Sequence, residues 1–454
     1  MTSVTRRHFL KVLSTAGAGF AAAQLPLMRA FAAAPQASDE FFIFIHASGG
    51  WDVTLWSDPR NEQKGIVEPA ATDNTDITQL HKWVGQTLSG ATQTFQIVQP
   101  AGCNIPFGPG IGNLVDNFDR LTLVNGLAMN TVSHPDGTTF SATGRHLAGG
   151  HPAASSIDTM LANELGTTQL FPAVSVNFPS YFVGEGLDRK AVPLRIGSIG
   201  TVSKALNRPN DFDNAADRDG VTAMLSQEAQ DLASIANQPD VMNGFHVQYD
   251  SLRKMLSGSL QAVFSQNALI AAHPEFNYKA RFQAGAAVNA AFAIEAMKRN
   301  LVRCVAFTGN SFDTHNTNYR FQAQTQQELF DLLYTLVKTL DATPHPTRAS
   351  DKLSDHTHIL VVSDFCRTPQ INLSGGRDHY PNNSALVISP RFKGNFSYGS
   401  SDHEQVLPAD AGTFTDGVRP VAPPDVLATF VSAFGVDPRK YLRDGEVVKD
   451  VLKS

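Results

Sequence analysis

The run Phe41-Phe42-Ile43-Phe44-Ile45, ended by His46-Ala47-Ser48-Gly49-Gly50-Trp51-Asp52, constrains the fold of this 454-residue chain more than any other feature. Five consecutive apolar residues leave no face for water. The segment therefore predicts a strand buried on both sides, as in a parallel sheet covered by helices. The small residues and the acid that follow predict a polar loop at its carboxyl end. The same pattern recurs at Leu121–Val124 before Asn125-Gly126, at Val302–Phe307 before Thr308-Gly309-Asn310, and at His358–Val362 before Ser363-Asp364. Leu386–Ile388 is a shorter case.

Helical spacing fills the intervals. Leu329, Leu332, Leu333, Leu336 and Leu340 share one face, as do Leu252, Met255, Leu256, Leu260, Val263 and Phe264. An Ala-rich helix over 283–297 can lie close to a sheet, and a last helix runs from Pro424-Asp425 to Gly435. Strands alternating with helices predict an α/β fold, with a mostly parallel central sheet between two helical layers. That reading gives a single domain over 39–454, with a helical insertion at about 215–275. Residues 55–120 and 395–422, rich in Gly, Pro, Asn, Thr and Gln, read as long surface excursions.

The first 32 residues read as an address. Arg6-Arg7 followed by Phe9-Leu10-Lys11, a soft Ala/Gly-rich stretch and Ala30-Phe31-Ala32 form a twin-arginine signal with a small-x-small cleavage site. The expected partner is the Tat translocase, which carries folded proteins, and the expected location is periplasmic or extracellular. Cleavage removes four basic residues and no acid, taking the formal net charge from −6 to −10. No later segment is apolar for long enough to span a membrane. No Lys/Arg-rich run exists, which excludes a nucleic-acid binder. Three cysteines exclude a disulfide scaffold and a Cys-based zinc site. Cys304 and Cys366 read as buried and free, and Cys103, in a Gly/Pro loop, as the reactive one.

Ligands of open α/β sheets bind outside the carboxyl ends of the strands. The residues found there are Asp52, then Ser133-His134-Pro135-Asp136-Gly137, then Asp313-Thr314-His315-Asn316, then Asp364, with Gly375-Gly376-Arg377-Asp378-His379 before the 386–388 strand. Taken singly, an Asp after a strand also caps a helix, and His379 behind two glycines also fits a turn. Gathered at one edge, the carboxylates would repel one another unless a divalent cation relieved them. Asp with neutral His suits Zn²⁺ or Mn²⁺, and Asp alone suits Ca²⁺ or Mg²⁺. The expectation is that Asp52, Asp313, His315, Asp364 and His379 converge on one pocket. Arg367 would contact an oxyanion or pair with a nearby acid. His356 and His358 read as strand-edge residues.

These motifs, with Ser363-Asp364-Phe365-Cys366-Arg367-Thr368-Pro369 among them, resemble the domain-of-unknown-function 1501 family, which is similar to the alkaline phosphatase and sulfatase superfamily. The resemblance implies an α/β/α sandwich with a two-metal site. One metal would be held by Asp52, Asp364 and a nucleophile, for which Ser133 is the candidate beside Thr131, Thr138 and Thr139. Asp313, His315 and His379 would hold the other. Phe365 stands after Asp364 where the superfamily has a His. The implied function is a metal-dependent hydrolase of phosphate or sulfate esters, on a small-molecule or polymer substrate. The alternative is a secreted binding or scaffold protein that keeps the fold without the chemistry.

Overall fold

The computed structural model describes residues 39–59, 97–201 and 259–453, apart from 167, 168, 185, 277, 279–282 and 416, together with 220, 223 and 224. The 1–32 address and most of the 215–275 insertion lie outside the described residues. Eight strands form the central sheet: β1 (Phe41–Ser48), β2 (Leu121–Asn125), β3 (Phe171–Val176), β4 (Leu194–Ile196), β5 (Val302–Ser311), β6 (Thr357–Ser363), β7 (Ser384–Ile388) and β8 (Phe396–Tyr398). Their spatial order is β8-β2-β7-β6-β1-β5-β3-β4. β1 lies between β5 and β6 and runs parallel to both. Within this sheet only β7 runs against its neighbours, β6 and β2.

The all-apolar reading of β1 is borne out by its two faces. Phe41, Ile43, Ile45 and Ala47 join one core and Phe42 and Phe44 the other, all fully buried. The first core contains α5 (Gln283–Lys298) and α6 (Asn318–Ala342), which follow α3 (Ser259–Val263) and α4 (Gln266–Ala272). The second contains α2 (Ile157–Leu165) and α7 (Pro423–Ala433), with Ala142 of α1 (His134–Thr143). The result is the expected three-layer α/β/α sandwich. Asp425 caps α7 by accepting from the Ala422 amide at 2.9 Å.

Three expectations are corrected. The described part of the 55–120 segment is no surface excursion. Ile105 and Phe107 are buried in the first core, as are Ile111, Leu114 and Val115 in a run of 3₁₀ turns over Pro109–Arg120 that packs on α6. Its apolar residues are spaced among glycines and prolines, so composition hides them. His358 is buried too, bonded to Glu40 and Ser389. All three cysteines are free and buried, Cys103 included, so its loop composition gives the wrong exposure.

The reversal at β7 matters for function. It starts at Ser384, at the edge where β6 ends, so the connection from Asp364 to Asn383 stays at the carboxyl edge of the sheet. Within it Cys366–Arg367 pairs antiparallel with His379–Tyr380, setting Arg367 opposite His379.

Candidate metal centre

The turn after β1 organises the edge. Gly49 and Gly50 both have positive φ, 97° and 81°. A Cβ on Gly49 would lie 2.6 Å from the Asp313 amide nitrogen, and one on Gly50 2.7 Å from the Phe365 ring. Only glycine permits both the conformation and the approach. Turned this way, the two amides donate to Asp364 Oδ1 at 3.0 and 2.7 Å. Their carbonyls face the other way and accept from Arg367, Gly50 at 3.0 Å from Nε and Gly49 from Nη2. Gln322 of α6 fixes the turn from behind: its Oε1 accepts from the Asp52 amide and its Nε2 donates to the Gly50 and Phe312 carbonyls.

Three imidazoles meet above this turn, each held by its Nδ1. His134, the first residue of α1, has Nδ1 2.5 Å from Asp364 Oδ2. His315 has Nδ1 2.8 Å from Asp378 Oδ1, and His379 has Nδ1 2.7 Å from the Val132 carbonyl. A carbonyl and ionised carboxylates only accept, so each Nδ1 carries a proton, and in the neutral form of each ring the lone pair is on Nε2. Those three Nε2 atoms face Asp313 Oδ1, at 3.8 Å for His134, 3.3 Å for His315 and 3.9 Å for His379. The His315 and His379 Nε2 atoms are 2.9 Å apart. Ligand atoms around a tetrahedral ion with bonds of 2.0–2.1 Å lie about 3.3 Å from one another. Atoms of His134, Asp313 and His379 all fall within 4.8 Å of one another. The set fits a divalent cation, with anchored imidazoles of the kind that metal sites use.

The electrostatics agree. Burial raises the Asp313 carboxyl, but the Arg367 hydrogen bond and charge and the adjacent imidazoles overcome it, and the net shift is downward. His379 is lowered by partial burial, which the Val132 carbonyl opposes and the positive charge around it reinforces, so its neutral form is favoured. The Phe365 ring packs against His134 and His379, with centroids at 4.7 and 4.5 Å. Asp313 and His315 are exposed, so the centre opens to solvent.

The structure thus brings Asp313, His315 and His379 together as the sequence predicts, and adds His134. Asp364 supports His134 and is itself buried. Asp52 is not part of the cluster. It is fully buried, and its oxygens accept from Arg377, Asn318 and Thr54. Arg367 is buried as well and pairs with Asp313 at 2.6 Å, which is the acid-pairing alternative rather than an oxyanion contact. Ser133 is exposed and precedes α1 without capping it by its side chain. Sequence reasoning did not place His134 in this cluster, though Ser133-His134-Pro135 directly follows the β2 end loop. It also missed Asp378 and Gln322, whose roles depend on partners far away in the chain.

The family described as "Protein of unknown function (DUF1501)" matches residues 40–446. No curated protein matches the sequence. Among solved structures, Ps i-CgsB, determined in complex with k-i-k-neocarrahexaose, is 12% identical with a TM-score of 0.36, over 90% of this chain and 74% of that one. The lipoteichoic acid synthase LtaP from Listeria monocytogenes is 8% identical with a TM-score of 0.35, over 94% and 78%. Alkaline phosphatase from the Antarctic bacterium TAB5 is 11% identical with a TM-score of 0.31, over 78% and 92%. The likeness to these proteins is one of fold.

Proposed function

The chain belongs to the DUF1501 family, and on that premise we propose that it is an exported, metal-dependent hydrolase of phosphate or sulfate esters. One observation carries the metal: the His315 and His379 Nε2 atoms lie 2.9 Å apart while both Nδ1 atoms are committed as donors. With both rings neutral, two lone pairs facing each other at that distance repel, and a shared cation would turn the repulsion into bonding. His134 and Asp313 complete the ligand set.

A divalent ion there, Zn²⁺ or Mn²⁺ by its donors, would polarise an ester oxygen and oppose the negative charge that develops in hydrolysis. The protein's own groups do the rest. Asp364, Asp378 and the Val132 carbonyl hold the three imidazoles in orientation. The amino end of α1, beside His134, carries the positive end of the helix dipole and favours an anionic substrate group. Ser133 is the candidate nucleophile: it is exposed, next to His134 in sequence, and its hydroxyl is not used in capping. The twin-arginine segment at Arg6-Arg7 supports export through the Tat translocase to the periplasm or beyond. No helix among the described residues is long and apolar enough to cross a membrane.

The test is turnover of aryl phosphate monoesters, diesters and sulfates by protein purified after export and loaded with Zn²⁺ or Mn²⁺. The expected result is turnover that a chelator abolishes, that His379→Ala lacks and that Ser133→Ala lowers. Metal-loaded protein with no turnover on any of these esters overturns the hydrolase reading.

A further inference from the structure

We infer that the centre takes one divalent cation, and that the buried guanidinium groups of Arg377 and Arg367 supply the positive charge that a second ion would bring. The inference rests on the proposed metal reading and goes beyond it to the number of ions. It departs from the two-metal arrangement that the sequence resemblance implies.

A carboxylate offers about four lone-pair positions. Asp52 has none to spare. Its Oδ1 accepts from the Thr54 amide at 3.1 Å, the Thr54 hydroxyl at 2.6 Å and Arg377 Nη1 at 3.2 Å. Its Oδ2 accepts from Asn318 Nδ2 at 2.8 Å and Arg377 Nη1 at 3.0 Å. Asp364 is equally committed. Oδ1 accepts from the Gly49 and Gly50 amides, and Oδ2 from His134 and, at 3.2 Å, from the Gly49 amide that Oδ1 shares. Both carboxylates are fully buried. The two acids that the resemblance assigns to one metal are therefore satisfied by protein donors.

The charge balance points the same way. Asp52, Asp313, Asp364 and Asp378 carry four negative charges. Arg377, on Asp52, and Arg367, on Asp313, carry two positive ones and are both fully buried. With neutral imidazoles the remainder is two negative charges, which one divalent cation cancels. A second would leave the same excess of the opposite sign, beside two guanidinium groups that are already fully buried. Arg367 also spends Nε and both Nη atoms on backbone carbonyls and Asp313, so it cannot swing away to admit an ion.

The experiment loads the full exported protein with excess Mn²⁺, removes free metal, counts manganese per chain by elemental analysis and records the paramagnetic resonance spectrum. One equivalent with the spectrum of an isolated Mn²⁺ ion is expected, and Asp52→Asn should retain it. Two equivalents, or a spectrum of coupled ions, overturn the inference and leave the metal reading standing. No bound manganese, repeated with Zn²⁺, overturns both. Loss of the ion in a folded Asp52→Asn protein, checked by circular dichroism, overturns the inference alone. The wild-type count decides the matter should that variant not fold.

Discussion

His134 Nδ1 and Asp364 Oδ2 lie 2.5 Å apart, although 230 residues separate them in the chain. The contact joins the amino end of α1 to the carboxyl end of β6. It fixes the ring that the proposed centre needs from a position the metal does not touch. Burial raises the Asp364 carboxyl, yet the hydrogen bond from His134 and the positive charge nearby bring it below its ordinary value, so it stays ionised as an acceptor.

Asp364→Asn should therefore keep the fold and weaken metal binding by about 10–100-fold, the usual cost of losing a partner that orients a ligand. His134→Ala, which removes a ligand, should weaken it further. Competition against a chromogenic chelator measures both. Equal affinity in wild type and Asp364→Asn would show that His134 is no ligand.

Gly49→Ala should destabilise the protein by at least about 2 kcal/mol, since φ is +97° and the new methyl meets the Asp313 amide at 2.6 Å. The same change at Gly149, also at positive φ but with nothing within 4 Å, should cost only the backbone strain, about 1 kcal/mol. Urea denaturation of the two variants gives the comparison.

The Asp52–Arg377 pair is fully buried on both sides. Arg377→Met leaves a buried carboxylate without its counter-charge and should cost about 3–5 kcal/mol. Asp52→Asn in the Arg377→Met background should recover part of that loss. A double-mutant cycle in denaturant reads the coupling, and additive losses would deny the pair.

Stability at acid pH should depend on Glu295. Its carboxyl is held down to about 2 by the His273 hydrogen bond, with burial opposing and Lys298 and Arg299 adding to the effect. A depressed folded value means that the contribution is complete above about 4.5 and disappears as the pH falls towards 2. His273 is raised: burial acts against it, and the hydrogen bonds it donates to Glu295 and Glu275 prevail. Its contribution is complete below the ordinary 6.5 and disappears as the pH rises through the folded value. Glu295→Gln should remove about 2 kcal/mol near pH 5.5 and flatten the loss below pH 4.5, as melting curves across pH will record.

Much of this was legible in the sequence. Buried parallel strands need unbroken apolar runs, so β1, β2, β5 and β6 announced themselves, and the periodicity of α6 and the Pro-to-Gly span of α7 were clear. The edge that carries the chemistry followed from the residues after each run. Which acid meets which cation did not. Asp52 and Asp364 have the same local pattern whether they bind a metal, an arginine or a pair of glycine amides, and Arg377 lies 325 residues from Asp52. His134 was hidden because Ser133 beside it drew the nucleophile reading, while the Asp364 carboxylate that holds its ring lies 230 residues away. The turns of 109–120 were hidden because glycine and proline dilute their apolar residues.

The position of β1 between β5 and β6 also sets a clock. At 5–20 residues per second, a ribosome delivers Asp364 roughly 16–63 seconds after Gly49, its partner 315 residues earlier. Until Val302–Ser311 is made the Phe-Ile run of β1 has neither neighbour to pair with, and until Thr357–Ser363 follows it has only one. The first strand made is among the last completed, and an apolar strand without its neighbours is open to wrong pairing while it waits. Under the proposed Tat export, which carries finished folds, the segment at Arg6-Arg7 would have to stay unread for that whole interval, and its recognition and the closure of the centre would be successive events in the life of one chain.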